Sequence, residues 1–307
     1  MKKIKIKVID FDTISADLNN PLPKNLLFEW INGGREDILD NPDIFFENVR
    51  SVDKTYKNFE FFERVDIVDA STILVFSIYL ELFEYHSRNF IKCIDFYSKK
   101  YPNNKIIFYW NHDIDFARYN TIVEKYHNVY ILNYNTSSES KNDIILPFWT
   151  FSNNDRFIDS EKIYLCNFLG TYNHPIRINL LNCFKDKPGY LINKRLDYST
   201  FVDVISKSKY TFCPRGQGLS SYRFFESMFY GSVPVLLADD VILPYCDVLN
   251  YDDFIIRVPE SKSSDFDYIN HLLLSDNFEK RKKKLIESLV YFRLDGLQQY
   301  VYDKLNS

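Results

Sequence analysis

Glycine is scarce in this 307-residue chain. Eight are present, where average usage of ~7% would supply about 21. Turns must therefore lean on Asn, Asp and Ser, and any place where glycines gather is informative. Long apolar runs are missing too: the best, around Ile73 to Phe83, is broken by Ser77 and Glu81 and falls short of the ~18 residues of a membrane span. The five cysteines (Cys93, Cys166, Cys183, Cys213, Cys246) form no Cys-x-x-Cys pair. That scatter reads as reduced thiols in a cytosolic core and argues against a structural zinc site. Neither sign of charge dominates, since 38 Lys plus Arg against 42 Asp plus Glu leaves a net of -4. A nucleic-acid binder normally shows a basic excess, so no nucleic-acid partner is expected.

What is present is an ordinary apolar fraction, 46%, with many aromatics, 27 Phe and 23 Tyr. Such a chain can bury a sizeable core, and its length suits about two domains of ~150 residues. The opening MKKIKIKVIDFD has a positive end but no apolar stretch behind it. Ile4, Ile6 and Val8 alternating with Lys read as a first strand rather than an export signal, so a cytoplasmic location is expected. Short apolar runs then alternate with helix-period segments. The runs are Ile73–Ile78, Lys105–Tyr109, Val129–Leu132, Ile163–Leu169, Tyr190–Ile192, Tyr210–Cys213, Val233–Ala238 and Phe254–Val258; the helical stretches include Tyr85–Lys100 and Tyr198–Ser206. Continuous Val, Ile, Leu and Phe suit strands covered on both faces, and the alternation predicts an α/β fold with parallel sheets.

The polar stretch Pro147–Ser160 is the expected boundary. It divides an N-terminal Rossmann-like domain, residues 1–150, from a C-terminal one, residues 151–280. Residues 281–307 read as a closing helix, broken near Gly296, that packs back on the first domain. Two such domains leave a cleft between the C-terminal ends of their strands.

Three of the eight glycines fall in YTFCPRGQGLSSYRFFESMFYGSVPVLLADD, from Tyr210. The order is strand, Pro-Arg-Gly-Gln-Gly loop, helix, Gly231, strand. Gly216 and Gly218 read as positions of positive φ and close backbone approach. Ser220 or Ser221 suits the helix N-cap, whose free N–H groups and dipole favour an anion. Arg215 and Arg223 add two guanidinium forks suited to phosphate. Glu226, three residues on, either accepts two ribose hydroxyls or pairs with Arg223 on the helix surface. Diphosphate plus ribose describes a nucleotide-sugar, although the same pattern also serves α/β proteins that bind no ligand. The Walker lysine and the GxGxxG spacing are both missing, which weakens ATPase and dinucleotide readings.

This segment resembles the signature of exostosin-like glycosyltransferases: Cys-Pro-Arg-Gly, a short loop, Ser-x-Arg, a helical Glu, then Gly-x-Val-Pro-Val and Asp. LPYCDVLNYDDFIIRVPE from Leu243 and YLCNFLGTYNHPIRINLL from Tyr164 are similar to the segments flanking it, so the resemblance covers about Ile163 to Glu260. It implies a GT-B fold, two facing Rossmann-like domains with an interdomain cleft, the donor held mainly by the second. It implies sugar transfer with inversion from a nucleoside-diphosphate-sugar to a saccharide or glycolipid acceptor. Carried over, Arg215 and Arg223 face the diphosphate, with Gly216 and Gly218 in the loop. Ser220 and Ser221 offer donors, Glu226 holds the ribose, and Gly170 and Arg177 make a second phosphate-side contact. Two departures stand out: Asn250-Tyr251 replaces the family's usual Trp, and the opening carries no membrane anchor like that of animal members, which reads as a bacterial or viral relative.

Inverting transfer needs a base for the acceptor hydroxyl. His112, Asp113 and Asp115, in FYWNHDIDF, follow a predicted strand at its C-terminal end and are the candidates; a polar turn with a helix cap is the other reading. The Asp-x-Asp pairs Asp10/Asp12, Asp113/Asp115 and Asp265/Asp267 invite a metal, but in an Asp-rich chain they arise by chance, and no divalent metal or other cofactor is expected. Trp30 and the Asn32–Arg35 turn are candidates for the acceptor side. Lys280–Lys284 reads as a solvated helix face or a peripheral contact with the inner face of a membrane. Within the sequence, the alternatives are another GT-B transferase, such as a fucosyl- or heptosyltransferase, and a non-catalytic sugar-nucleotide-binding protein.

Overall fold

The computed structural model describes residues 3–9, 17, 62–79, 87–110, 115–148, 157–194 and 196–306. They fall into two compact units. One takes the described residues within Met1–His112, Phe116–Leu146 and Gln298–Ser307, the other those within Asp113–Asp115 and Pro147–Leu297.

The first unit is a six-stranded parallel sheet in the order β2-β1-β3-β4-β5-β6. The strands are β1 (Ile4–Ile9), β2 (Phe62–Arg64), β3 (Ile73–Tyr79), β4 (Ile106–Trp110), β5 (Val129–Asn133) and β6 (Asp143–Ile145). Ile4 and Ile6 of β1 are buried as the alternation predicts, while Lys5 and Lys7 reach the carboxylates of Asp69 and Asp66 at 2.7 and 3.8 Å; Ile9, on the opposite face, is buried as well. Helix α1 (Ser87–Lys100) buries Cys93, Ile94 and Tyr97 along one face, and Lys99 and Lys100 close it, where cations suit the dipole. Asparagines staple the turns that glycine does not supply. Asn104 Nδ2 donates to the carbonyls of Asp69 and Thr72 at 2.7 and 2.8 Å, and Asn128 Nδ2 to that of Tyr101 at 2.9 Å. A short helix, α2 (Asn120–Val123), leads into β5.

Asp143, at the head of β6, is buried and accepts from the Ser140 amide at 3.0 Å. Burial pushes its carboxyl up to about 7. The folded state thus favours the neutral acid, so this contribution to stability is complete below the unfolded value near 4 and is lost as pH rises to about 7. Asp143→Asn is expected to melt a few degrees above wild type at pH 7.5, with the gap closing toward pH 5. A constant gap across that window in thermal melts would remove Asp143 as its cause.

The second unit is a five-stranded parallel sheet, β11-β10-β9-β7-β8. Its strands are β7 (Tyr164–Leu169), β8 (Tyr190–Asn193), β9 (Ser208–Pro214), β10 (Val233–Leu237) and β11 (Ile256–Arg257). Helices α3 (Pro175–Phe184), α4 (Tyr198–Ser206) and α5 (Tyr222–Phe229) make the crossovers, and α6 (Phe266–Ser275) and α7 (Phe278–Ser288) follow. Every residue of β10 is buried, as its unbroken VPVLL requires of a strand between two others. Phe184 gathers Tyr190, Phe212 and Phe266 around it, with ring centroids 4.9, 5.0 and 5.4 Å away. Tyr251, of the Asn250-Tyr251 pair that stands where the family has Trp, is buried and donates its hydroxyl to the Pro244 carbonyl at 2.6 Å.

The expected closing helix is interrupted earlier than Gly296. After α7 a 3-10 turn spans Leu289–Phe292, and α8 (Leu294–Asn306) starts beyond it. Gly296 lies in the first turn of α8, where a Cβ would run into the Val290 carbonyl oxygen. Within the first unit, the end of α8 is held by Lys105 Nζ, which donates to the Leu305 carbonyl at 2.6 Å.

Candidate functional site

Counted in chain order, the second sheet runs 2-1-3-4-5. The chain leaves β7 for β8 on one side, then crosses to β9 on the other. In open α/β sheets of this order, ligands sit outside the carboxyl ends of the strands where the direction reverses, here β7 and β9. β7 ends at Leu169 and hands over to Gly170–His174; β9 ends at Pro214 and hands over to Arg215–Ser220. The two segments singled out from sequence therefore meet at one place.

Arg177, in the first turn of α3, joins them. Its Nε donates to the Arg215 carbonyl at 3.0 Å and its Nη2 to that of Pro214 at 3.3 Å. Nη1 donates to the Thr171 carbonyl at 3.2 Å and to Asn173 Oδ1 at 3.1 Å. The guanidinium expected to touch phosphate is thus occupied by the two loops, and its role is to position them. Gly216 is what lets it in. A Cβ there would stand 2.9 Å from Arg177 Nη2. Positive φ, by contrast, occurs among the described glycines at Gly189 and Gly231, not at Gly216 or Gly218, so close approach rather than a left-handed turn accounts for Gly216. Gly170 likewise makes room: a Cβ would lie 3.0 Å from the ring of Phe168.

Helix α5 begins as expected, with Ser221 at the N-cap in extended conformation, but the cap is not closed by its hydroxyl. At the other end Gly231, at φ +64°, receives the chain. Its amide donates to the Met228 carbonyl at 3.3 Å and that of Ser232 to the Ser227 carbonyl at 3.0 Å, a complete Schellman motif.

The two arginines of the signature differ. Arg223 is drawn into the unit. Its Nη1 lies 3.2 Å from Glu226 Oε2, its Nη2 donates to the Leu169 carbonyl, and its guanidinium stacks 3.9 Å above the Phe201 ring. Of the two roles open to Glu226 from sequence, the structure displays the pairing with Arg223. Arg215 is held loosely, by the Gln217 carbonyl at 3.5 Å and by Glu260 Oε1 at 3.9 Å, and its buried Nε has no hydrogen-bond partner among the described residues.

Sequence reasoning gave no role to Asp239 and Glu260, which follow β10 and β11. Each accepts the other's backbone N–H, at 2.9 and 3.1 Å, and Glu260 thereby faces Arg215. The signal was there, in the Asp after Val-Pro-Val and the Glu after Val-Pro. His174 caps α3: its Nδ1 accepts from the Ile176 amide at 3.4 Å. Partial burial and the charges of Arg215 and Arg177 lower its pKa against the pull of Glu260.

Among the base candidates, His112 and Asp113 lie outside the described residues, as do Asp10, Asp12, Trp30 and the Asn32–Arg35 turn. Asp115 is half-buried just ahead of a 3-10 turn, Phe116–Tyr119. Asp265 acts as the N-cap of α6, accepting from the Tyr268 amide at 3.1 Å, and among the described residues no group of three or more His, Cys, Asp or Glu could hold a metal. Within Lys280–Lys284, the exposed Lys280, Lys283 and Lys284 share one face of α7, while the other two are engaged. Arg281 donates to Asp276 and to the Asp252 and Ile255 carbonyls, Lys282 reaches Asp159 at 2.7 Å, and Lys284 reaches Glu287 at 2.7 Å. Among the described residues no helix is long and apolar enough to cross a membrane.

The chain is similar to several known proteins. A protein of Arabidopsis thaliana named probable glycosyltransferase is 32% identical over 131 residues, 42% of this chain and 27% of its own length. One of Oryza sativa subsp. japonica named probable glucuronosyltransferase is 28% identical over 116 residues, 38% of this chain and 26% of its own. The chain thus aligns with little more than a quarter of these relatives' length. Among solved structures it is similar to the pneumococcal O-GlcNAc transferase GtfA, at 8% identity over 78% of this chain and 58% of that one, with TM-score 0.44. The exostosin GT47 domain matches residues 98–273, more than half of the sequence, and the chain belongs to the exostosin-like glycosyltransferase family.

Proposed function

We propose that the protein is an inverting hexosyltransferase. It moves a sugar from a nucleoside-diphosphate-sugar to a glycan or lipid-linked saccharide. The observation that supports this best is Arg215. At the carboxyl end of β9, beside the reversal of strand order, its guanidinium meets only the Gln217 carbonyl at 3.5 Å and Glu260 at 3.9 Å among the described residues, while Arg177 is taken up by loop carbonyls and Arg223 by Glu226, Leu169 and Phe201. A guanidinium so placed suits a diphosphate. Gly216, Gly218, Ser220 and Ser221 line the approach to the α5 N-terminus, where backbone N–H groups favour the same anion.

In this reading the reaction is a direct displacement at the anomeric carbon. A base in the His112–Asp115 segment takes the acceptor hydroxyl proton, the new C–O bond forms, and the bond to the diphosphate oxygen breaks with its electron pair. Arg215 and the helix N-terminus meet the charge that develops on the leaving group, so this reading assigns no step to a divalent ion. In this reading Glu226 also serves the ribose, sharing its carboxylate with Arg223.

A panel of UDP-, GDP- and CMP-sugars tests this by thermal shift and by product release. One nucleotide class is expected to raise the melting temperature by several degrees at saturating concentration, with its sugar transferred to an acceptor. Stabilisation with no sugar released in the presence of acceptors would instead indicate a binding protein. No shift with any of the three would overturn the nucleotide site itself.

A further inference from the structure

A cavity of about 480 Å³ opens at the amino-terminal edge of the first sheet. Tyr130 near the start of β5, the turn Glu139–Lys141, Asp143 and Ile144 at the head of β6, and Lys304 of α8 line it. Its size suits a small ligand, for which pockets run to about 300–1,000 Å³. β4, β5 and β6 are parallel, so the His112–Asp115 segment leaves β4 at the opposite end of the sheet. The cavity is therefore part of neither the donor cradle nor the proposed base.

Two of its lining residues carry buried polar atoms that the fold leaves unpaired. Ser140 and Asp143 are 3% and 5% exposed. The turn between them uses Asp143 Oδ2, which accepts from the Ser140 amide at 3.0 Å, and the Asp143 amide, which donates to the Ser140 carbonyl at 3.1 Å. Ser140 Oγ and Asp143 Oδ1 have no hydrogen-bond partner among the described residues, and buried polar groups are normally satisfied. Burial raises the Asp143 carboxyl to about 7, against the Ser140 amide and hydroxyl, which favour its charge, and with Glu139 and Glu124, which oppose it. An Asn would hold the same turn without that cost; what Asp alone adds is a second acceptor oxygen. The far wall is pinned as well. Lys105 Nζ, which donates to the Leu305 carbonyl at 2.6 Å, stands 5.2 Å from the centre of the Tyr130 ring.

The chemistry of the lining selects the ligand. Two carboxyls, Glu139 and Asp143, formally balance two ammoniums, Lys141 and Lys304, so no ion of either sign is favoured. A ligand must instead offer donors to Asp143, acceptors to the lysines, and an apolar face to Tyr130 and Ile144. Ring hydroxyls do both polar tasks, and the C–H face of a sugar does the third. We propose that this cavity is a saccharide-binding site, in which one sugar hydroxyl donates to Asp143 Oδ1 and accepts from Ser140 Oγ. The site goes beyond the proposed transfer reaction, in a unit that does not carry the donor cradle.

Saturation-transfer NMR on the full chain is the measurement, titrating methyl glycosides of glucose, galactose, xylose and N-acetylglucosamine with UDP and GDP present to fill the nucleotide site. At least one glycoside is expected to bind wild type, with affinity lower by about tenfold in Ser140→Ala and in Asp143→Asn. Both variants are expected to keep the thermal shift that nucleotide gives wild type, since neither residue belongs to the donor cradle. Binding of none of the four glycosides, or equal affinity in wild type and both variants, overturns the saccharide site while leaving the nucleotide site standing. Glycoside binding that weakens in both variants of a protein giving no nucleotide shift supports this site and overturns the proposed donor site alone. Ser140→Ala keeps the backbone bonds of the turn, so it decides the question even if Asp143→Asn does not fold.

Discussion

Arg215→Ala is expected to lower kcat/KM for the donor by about 10²–10³-fold, the range seen when a preorganised donor to a developing anion is removed. Arg215 is held by a carbonyl at 3.5 Å and a carboxylate at 3.9 Å, contacts too long to fix a side chain for structural reasons. Its removal should therefore leave the melting temperature close to wild type while abolishing the shift given by the nucleotide. Arg215→Lys should fall between, keeping the charge and losing the planar fork that engages two oxygens at once. Steady-state kinetics with the donor identified from the panel check this. Donor turnover by Arg215→Ala within threefold of wild type would remove the arginine from the site.

Arg223, in the helix that follows, is expected to behave oppositely. Arg223→Met should destabilise the second unit by about 3 kcal/mol, the lower end of the cost of leaving a partly buried charge unpaired. Its loss takes away the cation that the Glu226 carboxylate meets at 3.2 Å, with side-chain exposures of 15% and 21%, and also removes the bond to Leu169 and the stack on Phe201. At ~2–4 °C per kcal/mol for a unit of this size, the melting temperature falls by roughly 6–12 °C. Adding Glu226→Gln to Arg223→Met should recover part of that loss, because the neutral amide no longer needs a cation. Thermal and urea melts of the three proteins are sufficient. Unchanged stability together with lost nucleotide binding would return Arg223 to the phosphate.

Much of this architecture is legible in the residues. Strands sandwiched between helices need apolar side chains on both faces, so VPVLL and IIFYW announce themselves without any partner in view. Short edge strands do not. β2 is FER and β6 is DII, each three residues long, and three residues carry no periodicity. The break after α7 was misassigned to Gly296 because glycine is the local cue, whereas the turn at Leu289–Phe292 consists of apolar residues that fit a continuing helix just as well. At the site, composition indicated an anion cradle but not the division of labour among its arginines. Arg177, Arg215 and Arg223 are chemically identical on the page. Only the three-dimensional order of β7 beside β9 shows that one fastens two loops and another is drawn toward Phe201, leaving Arg215 as the group proposed for phosphate.

The fastening has a hereditary side. Arg177 and residue 216 compete for one small volume, since any side chain at 216 begins 2.9 Å from the guanidinium. The two positions are coupled: while the arginine keeps its bonds to both loops, a side chain at 216 must push the guanidinium aside, and once the arginine is lost, 216 is released to vary.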